Sequence, residues 1–215
     1  MEINKSLKLT DNQYYKTEQP KKIIVLHHTV SGKGVAGDVN WWNNTPDRIA
    51  TSFIVEREKG VYQVFDEKYW AHHLGITAST LKQYGSSVSN QRLNQLSIGI
   101  EIDSWGGLTK GGDGNWYAGK ICIEKSNVQE YPKGFRGFYA FEKYTKKQIA
   151  DVKQLLLYLN KKYEIPLKYN PEMWEVSRKA LVGTHGVFSH VSYRPDKSDC
   201  HPQPELIEML KSLSV

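Results

Sequence analysis

The segment "SHVSYRPDKSDCHPQP", Ser189 to Pro204, gathers two histidines, a cysteine, two aspartates and a lysine. Its prolines exclude one continuous helix, so these side chains sit on a loop. Imidazole nitrogen, thiolate and carboxylate are the ligands zinc takes, and a catalytic zinc site uses three of them plus a water. His190 is a candidate, with Asp199 or Cys200 close behind it. His201 suits a structural or supporting role. His185 lacks the helical i, i+4 spacing that would pair it with His190.

Two remote segments carry further candidates. His27 ends the apolar run "IIVLH", and a histidine at the end of a buried strand is placed to face a cleft. Glu101 lies in "SIGIEI", where Ile98, Ile100 and Ile102 alternate with Ser97, Gly99 and Glu101. One face of such a strand is apolar, and the other holds two small residues and a carboxylate. The small residues leave space beside Glu101 for a water or a ligand. His72 and His73 form another pair, but neighbours on a strand point to opposite faces, so at most one of them faces a shared site.

Elements able to hold these groups can be read along the chain. Residues 23–27 and 96–102 are buried strands. "TSFIVERE" and "GVYQVF" form a strand pair around a turn at Lys59-Gly60. Residues 35–44 suit a short helix. Thr145 and Gln148 form a capping-box pattern that opens "KKQIADVKQLLLYLNKKY", whose Ile149, Val152, Leu155, Leu156 and Leu159 share one helical face. Pro204 opens a last helix. The Gly-rich stretch 105–120 is a surface excursion or hairpin. Interleaved strands and helices give an α/β class, with a mixed central β-sheet flanked by helices.

The chain has 215 residues, 39% hydrophobic and 24% charged, which suits one globular domain with a sizeable core. A net charge of +6 favours anionic partners such as acidic polymers or a cell envelope. The basic residues are scattered, so no nucleic-acid partner is expected. The aromatics, six Trp and thirteen Tyr among them, serve either as core or as the lining of a sugar or peptide groove. Two cysteines allow at most one disulfide. The N-terminus shows no apolar signal region and no stretch reaches membrane-span length. Synthesis as a soluble cytoplasmic chain is expected, so a target beyond the membrane needs another route, such as holin-dependent release.

"IIVLHHT", then "SIGIEI", then a histidine followed within about ten residues by Lys-x-Asp/Cys, resemble the zinc-dependent N-acetylmuramoyl-L-alanine amidases. That family includes phage lysozyme-type amidases, muropeptide-recycling amidases and peptidoglycan recognition proteins. "RIATSFIVEREKGVYQVFDEKYWAHHLG" is similar to the family's strand pair followed by an aromatic and a His-x-Gly segment. The resemblance covers roughly residues 20–213 and implies a single catalytic domain over 1–215 with no separate wall-binding domain. It implies one zinc held by His27, His190 and a third group, Glu101 as general base, and Lys197 stabilising the oxyanion. The third ligand falls two residues after the lysine in family members, which gives Asp199, while counting ten residues from His190 gives Cys200. Asp199 is preferred because ligand and lysine share one short loop. His73, Trp70 and Thr51 are expected to contact substrate, although Thr51-Ser52 departs from the His or Tyr-His frequent in the family.

The resulting expectation is a monomeric enzyme that hydrolyses the amide between N-acetylmuramic acid and L-alanine in peptidoglycan, as a phage endolysin or related lytic enzyme. The alternatives are a cytoplasmic muropeptide-recycling amidase and a peptidoglycan-binding module without turnover. A pure binder needs neither base nor oxyanion partner, which favours the enzyme.

Overall fold

The computed structural model describes residues 1–32 and 34–213. Its centre is a six-stranded sheet in the order β1 (Ile3–Asn4), β4 (Gly60–Gln63), β3 (Phe53–Glu56), β5 (Ser97–Ile102), β2 (Ile23–His28) and β11 (Gly186–Ser189). Only the β3–β4 pair is antiparallel; the other pairs are parallel. The sheet is therefore mixed, with helices on both faces. The strand carrying Glu101 lies between β3 and β2, and every residue of β2 is buried. Such continuous apolar runs mark strands covered on both faces.

Side-chain alternation divides the two faces. Ile24 and Leu26 of β2, with Ile98, Ile100 and Ile102 of β5, pack against α4 (Lys146–Tyr163) and α6 (Pro204–Ser212). The buried stripe of α4 is the expected one, Ile149, Val152, Leu155, Leu156 and Leu159, and burial of each contributes about 1.5–3 kcal/mol. Both halves of the capping box form: Thr145 Oγ1 accepts from Gln148 N–H, and the Gln148 side chain accepts from Thr145 N–H. Ile23 and Val25 point the other way, into a cluster with Leu74, Leu93, Leu181 and Phe188. That face is closed by α3 (Asn90–Leu96) and α5 (Arg178–Leu181), with α2 (Ala78–Gln83) nearby. Further along it, α1 (Gly34–Asn43) packs Val35, Val39 and Trp42 over Ile54 and Val64.

The Gly-rich segment opens a larger excursion than expected. A three-stranded sheet, β6 (Thr109–Lys110), β7 (Trp116–Ala118) and β8 (Ile121–Ile123), precedes a hairpin of β9 (Val128–Phe135) and β10 (Phe138–Glu142). Leu108, Trp116, Ala118, Ile123, Val128 and Ala140 give it a core of its own, against which Trp105 packs. Pro132 and Gly134 inside β9 hid that strand from the sequence reading. Cys122 is exposed and Cys200 buried, and both thiols are free. No described helix is long and apolar enough to cross a membrane.

Candidate metal centre and groove

The parallel strands β2 and β5 end side by side, with His27 in register with Glu101. Ligands gather beyond the carboxyl ends of parallel strands, and this is where the candidate residues meet. Odd-numbered positions of β2 and β5 share a face, so His27 points to the same side as Ser97, Gly99 and Glu101, while His28 points into the opposite layer. His190 follows directly on β11, the strand on the other side of β2. Ser189 and Ser192, flanking it, both donate to the Met173 carbonyl and pin this turn.

His27, His190 and Asp199 converge. Asp199 Oδ2 lies 3.2 Å from His27 Nδ1 and 2.9 Å from His190 Nδ1. All three residues are buried, with one potential ligand atom of each lying within 4.8 Å of the others. Partners on the far side of each ring assign the tautomers. His190 Nε2 is 3.0 Å from the Leu74 carbonyl, which only accepts, so the proton sits on Nε2. Ser97 gives its hydroxyl proton to the Leu93 carbonyl at 2.8 Å and so accepts from His73 Nε2, also at 2.8 Å. His73 Nδ1 then accepts from His27 Nε2–H at 3.0 Å. Burial, with His190 nearby, lowers the His27 pKa to about 4, and burial holds His73 well below its ordinary value, so both rings are neutral. The two imidazole Nδ1 atoms and the Asp199 carboxylate thus face one point. That donor set fits a cation, and zinc accepts both imidazole nitrogen and carboxylate oxygen.

Glu101 stands beside this centre with its Oε2 buried and without a hydrogen-bond partner. Burial, reinforced by the nearby Asp199, raises its pKa well above the usual carboxylate range. The open space expected beside it is partly filled: a Cβ on Gly99 would meet Thr51 Cγ2 at 2.6 Å and His73 Nδ1 at 3.1 Å. Glu101, Lys197, His27, His190, Asp199, Thr51 and His73 all line one groove of about 840 Å³. Its aromatic walls are Trp41, Trp42 and Trp105. Trp70 is not among the lining residues; it stacks on Tyr15 at 4.0 Å between ring centres, with His72 edge-on to it. Trp116 belongs to the excursion, and His185 is exposed.

Cys200 takes the other side. Its thiol donates to Tyr144 Oη at 2.9 Å, and Tyr144 passes its own proton to His28 Nδ1 at 3.1 Å. Burial pushes the Cys200 thiol up, away from the thiolate form that binds metal. His201 bonds Tyr131 Oη at 2.8 Å and the Glu142 carbonyl, which is the structural role expected for it. The His28–Tyr144 link and the Ser97–His73 relay were missed from sequence. The even spacing of Ser97 and Glu101 on one strand was the available signal for the latter.

A mixed α/β sheet with a buried His-His-Asp centre at its strand ends defines a candidate metal-dependent hydrolase. Residues 17–204 match the N-acetylmuramoyl-L-alanine amidase family model, and the chain belongs to that family. No curated protein matches the sequence. Among solved structures, PlyL aligns over 100% of both chains at 17% identity and a TM-score of 0.54. The N-acetylmuramoyl-L-alanine amidase LysC from Clostridium intestinale URNW covers 100% of this chain and 99% of its own at 13% identity, TM-score 0.52. A mutant endolysin from Bacillus subtilis covers 100% and 99% at 16% identity, TM-score 0.52. At these identities the likeness speaks to the fold.

Proposed function

We propose that this amidase hydrolyses the bond between the lactyl group of N-acetylmuramic acid and L-alanine in peptidoglycan, with zinc held by His27, His190 and Asp199. The observation that carries the reading is the convergence of two Nδ1 atoms and Asp199 Oδ2 beside the unpartnered Glu101 Oε2. Zinc bound there supplies Lewis acidity toward the scissile carbonyl and lowers the pKa of water. Glu101 takes a proton from the attacking water and delivers it to the leaving alanine nitrogen. With no other side chain bonded to its Oε2, the carboxyl is free for both halves of that task. Lys197, on the groove wall, meets the negative charge that grows on the carbonyl oxygen. The His73–Ser97 relay holds the His27 ring in its tautomer.

The enzyme acts on the wall itself, as a lytic enzyme of the endolysin kind. Similarity to an endolysin supports this role, and a groove of about 840 Å³ accommodates more than the scissile amide alone. In that role it reaches the wall from the cytoplasm through a holin-made breach. The test is zinc-loaded protein on purified sacculi, with Glu101→Ala beside the wild type. Release of new amino groups by the wild type, lost in Glu101→Ala while zinc is retained, supports the reading. Tight binding without turnover by the wild type supports a binding module instead, and turnover of soluble muropeptides alone supports a recycling enzyme.

A further inference from the structure

The excursion between β5 and α4 carries a second cleft, of about 470 Å³, outside the metal groove. It is made by an irregularity in the β9–β10 hairpin. Phe138 pairs with Phe135 and Ala140 with Glu130, so the two-residue step on β10 faces a five-residue step on β9. Bulges of this kind re-aim side chains. Residues 131–134 of β9 have no pairing partner on β10 there, and Tyr131 and Pro132 line an opening with Trp116, Glu130 and Tyr139. Tyr139 is 61% exposed, so its ring face is available at the opening. Glu130 Oε1 accepts from Trp116 Nε1 at 3.1 Å, which leaves Oε2 open to an incoming hydroxyl. Lys110 Nζ stands 5.4 Å from the Trp116 ring centre at the same opening.

Aromatic surface combined with a free carboxylate acceptor and an ammonium donor suits a ligand with an apolar ring face and several hydroxyls. Two links join the cleft to the reaction centre. Trp105, a wall of the metal groove, packs against the core of the excursion that holds the cleft. Arg136, at the hairpin tip, donates to the Pro195 carbonyl at 3.2 Å, on the loop that carries Lys197. We propose that this cleft is a saccharide subsite that takes an N-acetylhexosamine unit of the glycan strand, next to the groove where the stem peptide is released. The proposal rests on the amidase reading, since it is the glycan of that substrate that continues past the cleaved unit. Ring stacking on Tyr139 and hydroxyl donation to Glu130 hold the sugar.

The test uses the whole zinc-loaded chain and a tetramer of N-acetylglucosamine, which has no lactyl–peptide bond to cleave. Nuclear magnetic resonance should show the Trp116 indole and the backbone amides of 130, 131 and 133–139 shifting on titration. Tyr139→Ala should weaken the tetramer by about fivefold or more. Tyr158→Ala, an exposed tyrosine on α4, should bind as the wild type does. Absence of tetramer binding, binding that leaves the Trp116 signal unmoved, or equal affinity in Tyr139→Ala overturns the proposal. So does a stem peptide that moves these signals where the tetramer does not. Amine release from sacculi tests the amidase reading separately, because tetramer binding requires no turnover.

Discussion

Asp199 and Cys200 are adjacent in the chain but serve opposite layers of the sheet. The Asp199 carboxylate meets the Nδ1 atoms of His27 and His190, while the Cys200 thiol donates to Tyr144 at 2.9 Å on the α4 side. The same division separates His27 from His28, which bonds Tyr144 as well. Each adjacent pair directs one side chain to the metal centre and the other into a buried polar network around Tyr144.

Asp199→Ala should therefore abolish zinc binding, and Cys200→Ala should leave one zinc per chain. Metal analysis after dialysis reads both. The cost of Cys200→Ala is structural instead, about 1–2 kcal/mol from the lost buried hydrogen bond and packing, and a thermal melt detects it. Zinc lost from Cys200→Ala and kept by Asp199→Ala would reverse the ligand assignment.

His73 touches His27 and Ser97 but no proposed substrate atom of the scissile bond. It acts through the His27 ring. His73→Ala should weaken zinc about 10–100-fold in a competition titration with a chelating dye. His73→Gln, whose side-chain oxygen accepts from His27 Nε2–H, should recover part of that loss. An unchanged zinc affinity in His73→Ala would show that the relay does not position the ligand.

Gly99 marks a close approach of strand to groove. A methyl group there collides with Thr51 at 2.6 Å and presses on His73. Gly99→Ala should cost about 1–3 kcal/mol by strand crowding and also lower zinc affinity through the displaced His73. Denaturant unfolding with and without zinc separates the two effects, and a neutral substitution would contradict the packing described.

Asp38 lines the groove, accepts from Ser31 Oγ at 2.7 Å, and has a buried second oxygen with no partner. Burial raises its pKa from 3.8 to about 6. The folded chain thus binds more protons than the unfolded one between these values, so this group's contribution is present at low pH and is lost as pH rises through 6. Asp38→Asn keeps the bond to Ser31 and removes the ionisation. It should match the wild type near pH 4 and be more stable by about 1–2 kcal/mol at pH 8. Melting curves across that range check the sign; a variant less stable at pH 8 than at pH 4, relative to wild type, would refute it.

Much of this arrangement was legible from periodicity. Three isoleucines alternating with Ser97, Gly99 and Glu101 give the central strand and the side on which Glu101 stands, and the face of α4 follows from its five apolar positions. The preference for Asp199 over Cys200 rested on the family resemblance, because spacing along a proline-bearing loop does not itself say which of two adjacent side chains turns inward. Trp70 looked like a groove wall because aromatic type is shared by grooves and cores, and only packing on Tyr15 separates the two. The β9–β10 hairpin escaped notice because Pro132 and Gly134 interrupt its apolar pattern, and its role depends on the opening that this interruption creates.

The bond cleaved is the most direct test of the account. Purified sacculi should be digested with the zinc-loaded protein, and the products resolved by mass spectrometry. The account predicts stem peptides with free L-alanine amino termini and glycan strands stripped of peptide, with both products absent after chelation. Cleavage between sugars or within the stem peptide, or the same products from metal-free protein, would contradict it.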